Sequence, residues 1–262
     1  MKTINLTTVP HNYKVGDVCE MISPNVTEDC FLADNGEIIG FYIRDIRKHN
    51  PMLAKYVDIA NAEFRSKRVP KSTMSRSSAL NARREGGNGV EQYSTIIGSV
   101  PPKPHMRRAY PTRSSVHDVK TADTFIKAML IVCRESEELI KKLTPHIYEE
   151  QERIISENVP EEWRFGRLFT SSISNYNISA AYHIDNANLK GCVNVIIAKR
   201  EGSRGGNTTV PDYGATFGSY DNSMLVYPAW RNLHGVTPIV PVEQKGYRNT
   251  LVFYPLRAFK NE

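Results

Sequence analysis

The chemistry of this 262-residue chain concentrates in one short stretch, Tyr182-His183-Ile184-Asp185-Asn186-Ala187-Asn188, and in two later positions, His234 and Arg248. Side chains on an extended strand alternate between faces, so His183 and Asp185 point the same way and can offer an imidazole nitrogen and a carboxylate oxygen to one ion. Fifty-one residues after His183, the run Leu233-His234-Gly235 supplies a second imidazole. Two histidines and one carboxylate with open positions form the ligand set of non-haem Fe(II) oxygenases. Fourteen residues further on, Arg248 precedes the apolar run Leu251-Val252-Phe253-Tyr254. Its guanidinium fork suits a carboxylate held through two parallel hydrogen bonds, which points to 2-oxoglutarate as cosubstrate beside Fe(II) and O2. A lone His-x-Asp says little, because a strand-end histidine bonded to a nearby aspartate is commoner than a metal site. The ordered set of four residues reverses that balance.

The elements needed to position these residues are short strands. Ser171 to Ile178, Ala180 to His183, Cys192 to Ala198, Asn207 to Pro211, Ala215 to Phe217, Ser223 to Tyr227, Thr237 to Val240 and Asn249 to Tyr254 are β-prone runs separated by Gly, Asn and Pro. Even spacing of this kind predicts a mainly β fold with flanking helices, its core over 168–258 a double-stranded β-helix of jelly-roll or cupin-like form. Upstream, Asp34-Asn35-Gly36-Glu37 predicts a hairpin turn and Pro51 to Phe64 has helical apolar spacing, so 1–64 is expected to be an N-terminal hairpin and helix. Over 115–158, Phe125, Met129, Val132 and Leu139 define one helix and Pro145 opens another; both are expected to support the sheet from outside. One domain over 1–262 accommodates all of this.

Charge is unevenly placed. Between Arg65 and Arg113, eleven Lys and Arg face two Glu, a net +9 in a chain of +6, so the remainder carries −3. Segment 65–113 therefore reads either as a nucleic-acid-binding element, with Arg107, Arg108, Arg113 and Tyr110 gripping phosphates and stacking a base, or as a solvated, partly mobile loop. Its Ser, Asn and Gly content builds no core. No apolar run approaches the ~18 residues of a membrane span, and the N-terminus lacks a secretory pattern, so an intracellular location is expected. Cys19, Cys30, Cys133 and Cys192 are too scattered for a zinc knuckle or a disulfide framework and are expected to be buried thiols. His11, His49, His105, His117 and His146 have no partner at ligand spacing.

The segment from about Asn175 to Tyr254 resembles the TET/JBP-type Fe(II)- and 2-oxoglutarate-dependent dioxygenases, in a spacing closest to small phage and microbial members. The resemblance implies metal ligands at His183, Asp185 and His234 and a 2-oxoglutarate arginine at Arg248, with Thr250 near the cosubstrate. It further implies that Asn188 hydrogen-bonds the target base and that Tyr254 stacks on it. Taken alone, Asn188 also suits a turn, Tyr254 a core position and Thr250 a plain strand residue. Where the animal enzymes place a base-contacting histidine, this chain has Leu256, and their cysteine-rich zinc region is missing.

The expected activity is hydroxylation of the methyl group of 5-methylcytosine in DNA, with the base flipped from the duplex, by a protein favoured to be a monomer. The alternatives are thymine hydroxylation to 5-hydroxymethyluracil, hydroxylation of a substrate other than nucleic acid on the same fold, and a catalytically silent binding protein.

Overall fold

The computed structural model describes residues 1–73, 91–103 and 109–259. Arg107, Arg108, His105 and the glycine-rich stretch 86–89 lie outside the described residues. The expected hairpin forms from β2 (Cys30–Asp34) and β3 (Glu37–Ile43). Its turn holds Asn35 and Gly36 at φ of 51° and 82°, the paired positive values that a two-residue hairpin turn requires. Helix α1 (Pro51–Arg65) starts where Pro51 has no amide hydrogen to leave unpaired and Asn50 accepts from the Leu53 amide. Helices α2 (Asp123–Leu143) and α3 (Pro145–Asn158) break at Thr144, directly before Pro145.

The fold is mainly β with flanking helices, on a double-stranded β-helix core. The N-terminal strands are completed by β1 (Lys2–Asn5), β4 (Ser72–Thr73), β5 (Tyr93–Val100) and β6 (Thr112–Arg113). The jelly-roll strands that build the site are β7 (Ser171–Tyr176), β8 (Ala180–His183), β9 (Asn194–Glu201), β11 (Thr208–Val210), β12 (Ala215–Phe217), β13 (Ser223–Tyr227), β14 (His234–Val236) and β16 (Tyr247–Tyr254). Two short strands, β10 (Ser203–Gly205) and β15 (Ile239–Pro241), pair with each other. The large sheet runs β1-β2-β3-β13-β9-β16-β7-β5-β4, and the small one β12-β11-β14-β8. The large sheet therefore extends beyond 168–258, because the β2–β3 hairpin joins it beside β13 and β5 joins it beside β7.

Two details differ from the sequence reading. His234 sits on a strand of its own, β14, whereas Thr237 and Pro238 fall in a break: Thr237 accepts the Asn207 amide through its hydroxyl, and Pro238 has no amide to give a ladder. Much of 6–29 is irregular, though Gly16 and Asp17 hydrogen-bond the backbone of Tyr182.

Alternation along β16 divides its duties. Leu251 and Phe253 point into the main hydrophobic core with Phe41, Phe64, Phe125, Phe169 and Val195, under α1 and α2, and Asn249 donates to Asn61 of α1. Each such fully buried aliphatic or phenyl group contributes ~1.5–3 kcal/mol. Arg248, Thr250, Val252 and Tyr254 face the other way, into a cavity between the two sheets. The four cysteines are buried and free, and no described helix is long and apolar enough to cross a membrane.

Candidate metal centre and its cavity

His183 ends β8 and faces His234 directly across the β8–β14 ladder, with ring centroids 4.3 Å apart. Asp185 follows in the turn, where its amide donates to the Ala229 carbonyl and its own carbonyl accepts from Asn188. One ligand atom from each of His183, Asp185 and His234 lies within 4.8 Å of the others, a set that could hold one ion. His183 Nε2 is 3.6 Å from Asp185 Oδ1 and His234 Nε2 is 3.9 Å from Asp185 Oδ2.

The donor set fits a metal for a second reason. His183 Nδ1 is 2.8 Å from the Ala181 carbonyl and His234 Nδ1 is 3.1 Å from that of Asn232. A carbonyl only accepts, so both Nδ1 atoms carry the hydrogen and both Nε2 lone pairs are turned toward the carboxylate. Burial, and then the neighbouring His183, lowers the pKa of His234, while Asp185 opposes the shift. The neutral form that can ligate a cation is thereby favoured. Gly235, next to His234, stands in a tight space: a Cβ there would lie 3.0 Å from Cys19 Cβ and 3.1 Å from the Tyr182 ring.

Arg248 is the other pole of the cavity. Its Nε donates to Ser219 Oγ at 2.7 Å, and among the described residues no carboxylate pairs with it. Burial, with Arg200 nearby, pushes its guanidinium down to about 9, the signature of a desolvated cation lacking a counter-ion. Gly206 makes room for it, since a Cβ at that position would lie 2.4 Å from Arg248 Cδ.

The cavity between these poles measures about 300 Å³, within the scale of small-molecule sites. His183, Asp185, His234, Arg248, Thr250, Asn188 and Tyr254 all line it. Leu256 lines it too, where the sequence lacks the histidine of the animal enzymes. Arg113 stands elsewhere, donating to the Glu162 carbonyl at 2.7 Å. In the same basic segment Arg68 pairs with Glu63, Lys71 donates to the Arg65 and Ser66 carbonyls, and Arg65 lies over the Tyr247 ring. Tyr110 is 77% exposed.

A wider groove of about 700 Å³ runs along α3, but its Arg153 and Arg167 are already paired with glutamates, and no ligand set converges there. The remaining described histidines also have partners: His11 meets Asp212, His49 meets Asp29, His117 accepts the Gly98 amide and His146 meets the Ile38 carbonyl.

Several lining residues escaped the sequence reading. Asn194 donates through Nδ2 to Asp185 Oδ2 at 2.9 Å and accepts from Asn188 Nδ2 at 2.8 Å. Its signal was available: a single carboxamide inside the β-branched run Val193-Asn194-Val195-Ile196-Ile197 is disfavoured unless it has a task. Asn175, opposite Thr250 in register, and Thr208 on β11 also line the cavity, with no comparable signal. Ser219 lies in a turn-rich stretch and becomes significant only through its contact with Arg248.

A His-Asp-His cluster and a buried arginine line one cavity of this β-sandwich, a jelly roll with a candidate metal set, and its fold has counterparts among solved structures. The chain is similar to NgTET1 in complex with 5mC DNA, with a TM-score of 0.58 at 12% identity, over 96% of this chain and 85% of that one. A looser likeness, TM-score 0.44 at 13% identity over 79% and 80% of the two chains, is to an oxidoreductase of the 2OG-Fe(II) oxygenase family from Burkholderia pseudomallei. No family model matches the chain, and no curated protein matches it in sequence. The fold is thus a TET-like double-stranded β-helix.

Proposed function

We propose that this protein is an Fe(II)- and 2-oxoglutarate-dependent dioxygenase that hydroxylates the methyl group of 5-methylcytosine in DNA. One observation carries the reading: the three candidate ligands share a single cavity with a buried arginine that has no carboxylate partner among the described residues. His183, Asp185 and His234 would hold Fe(II), and Arg248 would take the distal carboxylate of 2-oxoglutarate, with Ser219 fixing its fork and Thr250 beside it. The bound metal and cosubstrate supply the oxidising power: O2, 2-oxoglutarate and a methyl C–H become succinate, CO2 and a hydroxymethyl group.

The chain's own residues do the placing. A methyl group inside stacked duplex cannot enter a cavity between two sheets, so the base must be flipped out, at a cost of a few kcal/mol. Asn188 offers a carboxamide for the base edge and Tyr254 an aromatic face, both on the cavity wall. Val252, Ile196 and Ile173 line the same wall and keep water from the reacting methyl. Support for DNA comes from the +9 of segment 65–113 and from the DNA complex of the structurally similar NgTET1. Phosphate contacts from Arg107, Arg108 and Arg113 would make binding fall steeply with salt. We place the protein inside the cell, acting as a monomer on DNA.

The test is to incubate Fe(II)-loaded protein and 2-oxoglutarate with methylated and unmethylated duplexes, follow succinate, and digest the DNA to nucleosides. Succinate release stimulated by methylated DNA, with 5-hydroxymethylcytosine in the digest, is the expected result. Formation of 5-hydroxymethyluracil from unmethylated DNA would transfer the reading to thymine. Succinate release with neither product would remove nucleic acid as the substrate.

A further inference from the structure

Three polar side chains run in series along the cavity wall. Asp185 Oδ2 accepts from Asn194 Nδ2 at 2.9 Å, and Asn194 Oδ1 accepts from Asn188 Nδ2 at 2.8 Å. Asn194 is 3% exposed and Asn188 5%. Asn194 opens β9, and the next residue inward on its face is Ile196. A carboxamide desolvated in that setting costs free energy unless both of its ends are satisfied, and these two bonds satisfy them.

The series has a fixed direction. An ionised carboxylate only accepts, so Asn194 must turn its NH2 toward Asp185 and its carbonyl oxygen toward Asn188. That oxygen in turn demands a hydrogen from Asn188, whose own Oδ1 and second N–H then remain in one order. Flipping the Asn188 amide would set its oxygen against the Asn194 oxygen, two acceptors in a low-dielectric wall. The orientation of Asn188 is therefore dictated two hydrogen bonds away, by the acceptor oxygen of the candidate metal carboxylate.

We propose that Asn194 is a positioning residue that both holds Asp185 for the ion and fixes the hydrogen-bonding polarity of Asn188, and that this polarity sets which pyrimidine the cavity accepts. The identity of the base rests on the function proposed above; the relay does not. At ring position 4 cytosine carries an amino donor and thymine a carbonyl acceptor, and at position 3 cytosine carries a bare nitrogen acceptor and thymine an N–H donor, so the two edges are opposites. A carboxamide locked in one order suits one edge and leaves unpaired groups against the other. A carboxamide free to flip suits both.

The experiment compares the full-length protein with Asn194→Leu, which keeps the side-chain shape and removes both hydrogen bonds. Co(II) affinity of the metal-free protein, measured by titration calorimetry, is expected to weaken about 10–100-fold. In ¹H–¹⁵N spectra the Asn188 side-chain NH2 is expected to lose its protection from exchange. In competition between 5-methylcytosine and thymine in the same duplex context, the preference is expected to narrow roughly tenfold or more. If Asn194→Leu does not fold, Asn194→Ala removes the amide without setting an apolar branch against the carboxylate and is read in the same three ways. A purely structural role would lower the melting temperature and leave all three readouts in place.

Unchanged Co(II) affinity, unchanged protection of Asn188, or an unchanged base preference would each overturn the proposal. If the parent protein oxidises neither base, the proposed function fails alone. The metal and exchange readouts still decide the relay.

Discussion

Strand β16 presents two surfaces with opposite requirements. On one, Leu251 and Phe253 are fully buried among apolar groups beneath α1 and α2, and nothing there awaits a ligand. On the other, Arg248, Thr250, Val252 and Tyr254 line a cavity shared with the His183, Asp185 and His234 side chains. The first surface is stabilised by the burial of its apolar groups against one another. The second keeps a desolvated guanidinium with no carboxylate paired to it among the described residues, and three ligand atoms within 4.8 Å of one another. That second condition is a cost to the fold, and it makes sense where a small molecule and an ion supply the missing partners.

The contrast can be broken in graded steps. His183→Ala should reduce succinate formation at least about 10³-fold while leaving the melting temperature of the metal-free protein nearly unchanged, because the His183 side chain is 40% exposed; a large drop in that temperature would mean that His183 belongs to the structural surface after all. Arg248→Met comes next. It should raise the KM for 2-oxoglutarate about 10²-fold, equivalent to the ~3 kcal/mol of a charge-assisted pair, and yet raise the stability of the ligand-free protein by ~1–4 kcal/mol, since an unpaired buried cation is replaced by an apolar chain. Urea unfolding without 2-oxoglutarate reads the second effect, and a loss of stability would refute the account of Arg248 as an unsatisfied charge.

On the opposite surface the order reverses. Phe253→Ala should cost ~3–5 kcal/mol of unfolding free energy, whereas Val252→Ala, one residue away and half-buried, should cost less than half as much and act mainly on turnover. Equal costs at the two positions would erase the distinction.

The smallest effect concerns Glu137 on α2, a buried carboxyl whose Oε1 accepts from the Arg167 and Leu168 amides at 2.7 and 2.9 Å. Burial raises its pKa to about 7 against those hydrogen bonds. The folded state therefore binds the proton more tightly than the unfolded state, so this group's destabilisation is absent below pH ~4.5 and grows as pH rises to about 7. Glu137→Gln should raise the melting temperature by a few degrees at about pH 8 and leave it unchanged at about pH 4. A melting-temperature difference independent of pH would show that the carboxyl is not titrating in this window.

How much of this was legible in the chain depends on what each residue can do alone. His183, Asp185, His234 and Arg248 could be picked out because their side chains have few common reasons to occur in that order, and all four meet in the cavity. The hairpin at Asn35-Gly36 and the helix after Pro51 were readable because backbone sterics act locally. Asn194 and Ser219 were not read, because their importance comes from what approaches them across strands rather than from their type. The merging of the N-terminal hairpin into the large sheet, through pairing of β3 with β13, likewise depends on contacts more than 180 residues apart along the chain. Segment 65–113 looked uniformly basic, yet Arg65, Arg68, Lys71 and Arg113 each have an internal partner that composition could not reveal.

The direct pairing of His183 with His234 has one more consequence. β8 is the outermost strand of the small sheet, and its ladder to β14 holds only the His234–His183 and Val236–Ala180 pairs, with an irregularity between them. A cation gripped by one imidazole from each side would act as a clasp on that loose hem, closing it more firmly than the backbone does. Chelation should then open residues 180–188 to limited proteolysis before any other part of the barrel gives way, making the proposed ion a latch on its own housing.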